Sequence, residues 1–392
     1  MNESSKTDKT LGRPLEGLVV ADLTRILAGP FATLNLAHLG AKVIKVETPH
    51  GGDDSRSFPP FKDDSSLYYS SINYDKYSIA LDLKKQDDKK IFEKLLAKSD
   101  FLVENYRPGT LERLGYAWDD LKQKYPQLIY GSLSGFGLTG PMAAMPAYDL
   151  VVQALGGVMS LTGHPGQPPV RVGVSIGDLA SGLYFVIALQ AALVRRMQGH
   201  GGSRIDIAML DCQVAMLEGS LTNYLSTGAI TESLGSRHYS IAPFQAFRTK
   251  DSYMILAGGN DRLFVQACEV LQRMDLVQDE RFKSNQLRCQ HVDVLEAEIE
   301  KTLAAKTTEE WVKLFGEKGV PSAPIQNVSK VATHPQVIAR NMIVDIKDPV
   351  FGNIRTGGNP IKMTGIPDKV EHRGAPTLDQ DRSSILEWLD QP

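Results

Sequence analysis

Residues 18–46 read LVVADLTRILAGPFATLNLAHLGAKVIKV. Leu18–Leu23 is a short apolar run of strand type, and Lys42–Val46 is a second. Between them, Pro30 sits in the first turn of a helix, where a missing N–H costs nothing, and Gly40 sits where a helix stops. Strand, helix and strand within about 30 residues form a βαβ unit, which implies parallel strands joined by a right-handed crossover.

Working outward, strands are expected at Ser78–Leu83, Phe101–Glu104 and Leu128–Leu133, with helices at Asp87–Lys98 and Asp119–Tyr125. This alternation predicts an α/β fold with a large Rossmann-like, doubly wound domain. Beyond Pro141, Tyr148–Thr162 reads as a helix weakened at Gly156 and Gly157. Asp178 opens a long helix, Leu179–Met197, with apolar residues on most faces and so expected to be buried on several sides. Ser203–Ala208 reads as a strand and Asp211–Leu225 as a helix. From Ala229 the pattern becomes a hairpin, Gln245–Thr249 with Tyr253–Ala257, then helices at Arg262–Arg273, Val292–Ala305 and Thr308–Lys318. Strand-like pieces follow at Met342–Ile346 and Ile361–Met363, and a last helix at Ser383–Leu389. The expected organisation is a disordered tail over 1–13, a large α/β domain over 14–228, a smaller α+β domain over 229–328, and a C-terminal return to the large domain over 329–392.

Composition narrows the function classes. The 392 residues carry 43 Lys and Arg against 46 Asp and Glu, a net charge of −3. Nucleic-acid binders usually carry a basic excess, so that partner is not expected. Cys212, Cys268 and Cys289 are widely spaced, match no metal-ligand pattern and give no disulfide framework; reduced thiols are expected, and no metal. No uninterrupted apolar run approaches the roughly 18 residues of a membrane span. The polar N-terminus has neither the apolar stretch of a signal peptide nor the Arg-rich character of a transit peptide. The expectation is a cytoplasmic protein without a membrane partner.

Gly29 to Gly40 is a helix-length gap rather than GxGxxG, and no GxxxxGK[ST] occurs. Ala28-Gly29-Pro30 leaves a bare backbone at a strand's carboxyl end, where open α/β sheets bind ligands and helix starts favour anions; a tight structural turn is the plainer account. Gly177-Asp178 also has two readings. Asp is a favoured N-cap. That is the plainer account; the same geometry also suits a carboxylate nucleophile, with Gly177 clearing space beside it and the helix end keeping it ionised. Gly258-Gly259, ahead of a helix start at Asn260, is either an ordinary turn or a mobile cover over a ligand. His238 is a loop histidine that suits a general base but is more simply an exposed side chain. Tyr68, Tyr69 and Tyr74 read as packing aromatics.

Several segments together resemble the class III CoA-transferases, the family of formyl-CoA:oxalate and carnitine CoA-transferases. They include VVADLTRILAGPFATLNLAHLGAKVIKVE (19–47), GGDDSR (51–56), KYSIALDLK (76–84), VENYRPGTLERLG (103–115), AYDLVVQALGGVMSLTG (147–163) and VGVSIGDLASGLYFVIALQAAL (172–193). The resemblance runs from about Pro14 to about Pro376. Within the family the chain is most similar to the succinate–hydroxymethylglutarate (glutaryl) branch, through GDDSR, RHYSIAPFQAFRTKDSYMILAGGND (237–261) and HVDVLEAEI (291–299).

The resemblance implies roles residue by residue. Asp178, in the G-D-x-x-[ST]-G pattern ending at Gly182, matches the catalytic aspartate. Leu27 and Ala28 match a loop along CoA. Leu81, Asp82, Leu83 and Lys84 match a segment near the adenine and ribose. Asn105, Tyr106 and Arg107 match a stretch beside pantetheine and pyrophosphate, and Arg113 a phosphate contact. Tyr148 and Asp149 match a segment near the acyl end, and Gly258 and Gly259 the glycine loop, whose N–H groups would stabilise oxyanions. Leu27 in place of the formyl enzyme's glutamine, and GGN in place of four glycines, weigh against an oxalate or formyl specificity. The implied substrates are an acyl-CoA, succinyl-CoA first, and a dicarboxylic acid such as glutarate, hydroxymethylglutarate, itaconate or malate. The implied intermediates are an aspartyl anhydride and an aspartyl-CoA thioester. No tightly bound cofactor is implied; coenzyme A enters as substrate. A distal carboxylate calls for a cation, and Arg56, Arg171, Arg237 and, more weakly, His238 are the candidates. The resemblance also implies an interlocked homodimer.

Two rivals remain at this stage. The α-methylacyl-CoA racemases share the fold and the aspartate, but also need a histidine where this chain has Tyr148, and a phenol with a pKa near 10 is a poor base. A catalytically dead CoA-binding protein would lack Asp178, which is present.

Overall fold

The computed structural model describes residues 12–391. The tail expected over 1–13 lies, up to residue 11, outside the described residues. The chain divides into two compact units. One holds the described residues of Met1–Val158, Arg171–Gly228 and Pro335–Pro392; the other holds Met159–Val170 and Ala229–His334.

The first unit is built on six strands: β1 (Val19–Asp22), β2 (Lys42–Glu47), β3 (Tyr77–Ala80), β4 (Phe101–Glu104), β5 (Ile129–Ser134) and β6 (Arg204–Ala208). All neighbours pair in parallel, in the order β3-β2-β1-β4-β5-β6. This is the doubly wound order of dinucleotide-binding sheets, as the α/β reading expects. A parallel sheet is covered on both faces, so its strands read as apolar runs rather than alternating ones; β1 and β4 are buried at every position. On one face, Val20, Val43, Phe101 and Ile129 meet Phe185 and Leu189. On the other, Ala21, Ile44, Ile79 and Leu102 meet Phe92, Leu95 and Leu121, together with Ile385 and Leu389 of the C-terminal helix Arg382–Asp390.

Four helices position the chemistry: α1 (Ala28–His38), α2 (Asp149–Leu155), α3 (Ile176–Arg195) and α4 (Met209–Ala215). The helix expected over 148–162 is broken. It is α2 and a short turn, Val158–Leu161, because Gly157 takes a φ of +84°, open to glycine and closed to a helix. The helix expected over 211–225 is likewise α4 and Glu218–Thr227, parted where Glu218 has a φ of +49°. Ile361–Met363 forms no strand; Met363 makes a single bridge to Ile366.

Burial of α3 on several sides is also corrected. Phe185 and Leu189 are fully buried, but Leu183, Tyr184, Ile187 and Val194 are exposed. Averaged over its length, the helical stretch Ile176–His200 is long and apolar enough to cross a membrane, although no uninterrupted apolar run is. Here it packs against the sheet and α1 as a core helix.

The second unit is α+β. Strands Phe244–Arg248 and Tyr253–Ala257 form the expected hairpin, and Ser322–Pro324 pairs antiparallel beside Tyr253–Ala257. Phe247, Met254 and Leu256 pack on Phe264, Leu295, Trp311 and Phe315 of the covering helices. The three cysteines are unpaired, Cys212 and Cys268 buried and Cys289 half-buried.

Candidate functional site

The strand order reverses between β1 and β4, and such a switch point opens a crevice at the carboxyl ends of the strands. Loop 23–27 leaves β1 there and loop 105–109 leaves β4. Asn105 ties them together: its side chain accepts the Arg25 N–H and donates to the Arg25 carbonyl, both at 2.8 Å. Above them lies an open cleft lined among others by Arg25, Ile26, Asn105, Tyr106, Arg107 and Tyr148. Four residues expected to meet CoA thus share one cleft. Arg25 and Ile26 join them unforeseen, and Arg25 also pairs with Asp54. Burial raises the Tyr106 phenol to about 12.

Leu27 stands at the N-cap of α1 and Ala28 begins the helix. Gly29 serves packing rather than ligand approach, since a Cβ there would lie 2.3 Å from the Thr24 Cβ. Leu81–Lys84 form a turn after β3. Leu81 and Leu83 are buried, and Asp82 accepts the Lys84 N–H at 3.1 Å. Arg113 is exposed and donates to Thr110 at 3.0 Å. Neither group lines the switch-point cleft.

Asp178 is not the helix cap. The helix starts two residues earlier, at Ile176, with Ser175 at the cap position and no side-chain cap bond. A first-turn amide is taken from outside the helix: Asp149 Oδ1 accepts the Gly177 N–H at 2.7 Å, while its Oδ2 accepts from Gln153 at 2.7 Å. Asp178 lies in the first turn of α3. Burial, and then the charge of Asp149, raise its carboxyl from an ordinary value to about 7. Its sequence pattern is explained by packing. A Cβ on Gly177 would lie 2.7 Å from Val152 and 2.9 Å from Asp149 Oδ1, and one on Gly182 would lie 2.8 Å from the Ala28 carbonyl. Ser181, fully buried, donates to the Gly177 carbonyl at 2.8 Å. The motif thus packs α3 against α2 and against the start of α1.

Tyr68, read from sequence as a packing aromatic, faces this acid cluster. Burial, and then Asp178, Asp53 and Asp149, push its phenol up to about 12. A weak acid held protonated near a carboxylate is a hydrogen-bond donor. No sequence signal marked it, because its acidic neighbours come from three separate segments.

The cationic candidates separate clearly. Arg56 grips Glu47 through two bonds of 2.8 and 2.7 Å and also donates to Tyr69 and the Pro376 carbonyl. Arg237 pairs with Asp293 at 2.6 Å and with Glu296. His238 Nδ1 accepts the Ser240 N–H at 3.2 Å, and its ring stacks on Tyr239. Arg171 is exposed; its Nε donates to the neighbouring Val172 carbonyl and its Nη2 lies 3.9 Å from Asp149 Oδ2. Of the four, Arg171 alone stands beside the Asp149–Asp178 pair within the first unit. In the second unit, Gly258 donates its N–H to the Pro243 carbonyl at 2.9 Å, and a Cβ on Gly259 would lie 2.1 Å from Ile241. The expected helix start follows, with Asn260 capping the Leu263 N–H.

His38, Asp75 and His372 also converge, their ligand atoms within 4.8 Å of one another. Asp75 is held by Lys369 at 2.5 Å, and both His372 nitrogens face oxygen acceptors, Asp75 Oδ2 and the Lys369 carbonyl. These are the contacts of a structural ion-pair network rather than of open metal ligands.

The chain is 41% identical over 380 residues to the acetyl-CoA:oxalate CoA-transferase of Acetobacter aceti, covering 97% of this chain and 96% of that one. It is 39% identical over 375 residues to the human succinyl-CoA:glutarate CoA-transferase, covering 95% and 85%. A CAIB/BAIF family protein from Brucella suis superposes with a TM-score of 0.87 at 36% identity, covering 97% and 100%. The model of CoA-transferase family III matches residues 15–382, and the chain belongs to that family.

Proposed function

We propose that this chain moves CoA from succinyl-CoA to a dicarboxylic acid, with Asp178 as nucleophile. The observation that carries the reading is a partly buried carboxylate raised to about 7, set one residue after an amide held by a second carboxylate, in a chain of family III. Ionised Asp178 attacks the thioester carbonyl. The C–S bond breaks, CoA leaves as thiolate, and a mixed anhydride remains. The thiolate then attacks the aspartyl carbonyl, the donor acid departs, and an aspartyl-CoA thioester forms. The acceptor carboxylate attacks that thioester, and the released thiolate takes the acceptor acyl group, which restores Asp178. Every step exchanges one acyl bond for another, so the thioester's energy is retained without a further energy source.

Relatives are named for oxalate, glutarate, mesaconate and D-citramalate, all dicarboxylates. This supports a dicarboxylate acceptor and returns oxalate to the panel of acids to be tried. We also read the working form as a homodimer. Leu150, Val151 and Leu155 on α2 and Leu183, Tyr184 and Ile187 on α3 leave apolar surface that a second copy would cover.

The test is mass spectrometry of acyl-CoA products from purified protein, succinyl-CoA and a panel of dicarboxylic acids, without ATP. New acyl-CoA masses that vanish in Asp178→Ala support the reading. Full turnover by Asp178→Ala sinks it.

A further inference from the structure

Ile26 has a φ of +70°. A β-branched residue rarely enters the left-handed region, and it stays there only where its surroundings over-determine it. Here they do. The Lys45 ammonium donates to the Thr24 carbonyl at 2.7 Å, and Asp22 accepts the Thr24 N–H at 2.8 Å. Asn105 holds both backbone groups of Arg25. Asp53 Oδ1 accepts the Ile26 N–H at 3.0 Å, and Asp53 Oδ2 pairs with Lys45 at 2.8 Å, both side chains wholly buried. Loop 24–26 is therefore fixed by side chains from three strands, or the loops that follow them, and from the Asp53 turn, rather than by its own hydrogen bonds.

Ile26 lines the switch-point cleft and stands directly before Leu27 and the first turn of α1. The left-handed residue sets the direction in which the chain enters that helix. The first turn of a helix leaves N–H groups without intrahelical acceptors, which favours an anionic group; here Ala28 and Gly29 carry them, since Pro30 has none.

We infer that Asp53 is a positioning residue: paired with Lys45, it clamps Ile26 in its left-handed conformation and so shapes the loop on which acyl-CoA lies. This rests on the proposed function for the identity of the ligand, but the clamp itself does not.

Two variants break the clamp from opposite sides. Asp53→Asn removes the charge that pairs with Lys45. Ile26→Pro removes the donated N–H and fixes φ near −65°. The probe is CoA itself, by titration calorimetry, alongside hydrogen exchange of the Ile26 amide in the ligand-free protein. In Asp53→Asn the Ile26 amide should exchange at least tenfold faster, and both variants should bind CoA at least tenfold more weakly. Adding Ile26→Gly to Asp53→Asn should recover part of that affinity, since glycine takes the same φ without a clamp; a purely structural role for Asp53 predicts no recovery. Unchanged Ile26 exchange in folded Asp53→Asn, or wild-type CoA affinity in folded Ile26→Pro, overturns the inference. Wild-type protein that binds no CoA while the exchange result holds overturns the proposed function and leaves the clamp standing.

Discussion

Asp149 caps the helix that carries Asp178: its Oδ1 takes the Gly177 N–H, one residue before Asp178, at 2.7 Å. Two carboxylates from neighbouring helices thus have different surroundings. One is held by an amide and by Gln153; the other is raised to about 7 by burial and by its neighbour's charge. Pairs whose environments diverge in this way mark acid–base and nucleophile assignments.

The first prediction concerns pH. The nucleophile is the ionised carboxylate, so kcat/KM for acyl-CoA should rise roughly tenfold per pH unit up to about 7 and then level. Asp149→Asn removes a charge that raises Asp178, so the bend should move to lower pH. A profile whose bend is unmoved by Asp149→Asn would remove that neighbour from the account.

The same shift predicts stability. Because the folded carboxyl is raised, its contribution is fully present below the unfolded value of 3.8 and is lost as pH rises through about 7. Asp178→Asn carries no such titration. Its Tm should exceed the wild type's at pH 8, and the advantage should close as pH falls to about 4. Thermal melts at the two pH values decide this.

Gly182 gives a packing prediction. A Cβ at that position would stand 2.8 Å from the Ala28 carbonyl and 3.0 Å from the Phe31 ring, so Gly182→Ala must push α1 from α3. Overpacking of this kind costs about 1–3 kcal/mol. The start of α1 moves with it, and KM for acyl-CoA should rise more than kcat falls.

The β1–α1–β2 unit was legible because each of its signals is local: apolar runs, a proline early in the helix and a glycine after it. A doubly wound domain follows from the alternation, whereas the strand order is visible only in the pairing. What sequence could not supply was pairing across distance. Lys45 and Lys76 sit fully buried in or beside strands, which no periodicity predicts; their partners, Asp53 and Asp22, come from other segments. Burial would lower Lys45, but Asp53 and Asp22 offset this and hold it above its ordinary value, whereas Lys76, also buried, falls to about 7. The cap of α3 was misjudged for the same reason. Ser175 stands at the cap position without a side-chain bond, and Asp149, on another helix, makes the bond. Residue type made Arg56, Arg171 and Arg237 equivalent; their partners separate them.

That separation yields the last prediction. Arg56 and Glu47 form a mostly buried pair, and removing one partner of a buried pair costs about 3–5 kcal/mol. Arg56→Met should therefore lower Tm steeply, whatever the acceptor. Arg171 has no such commitment: its guanidinium lies 3.9 Å from Asp149 and half of its side chain is exposed. If it receives the acceptor's distal carboxylate, Arg171→Met should raise KM for glutarate or succinate about tenfold, the loss of one charge-assisted contact of about 1.4 kcal/mol. KM for a monocarboxylate such as butyrate, which has no distal charge, should not change. An equal loss on both acids would mean that Arg171 acts only through Asp149, since a disturbed Asp149 alters Asp178 for every acceptor alike.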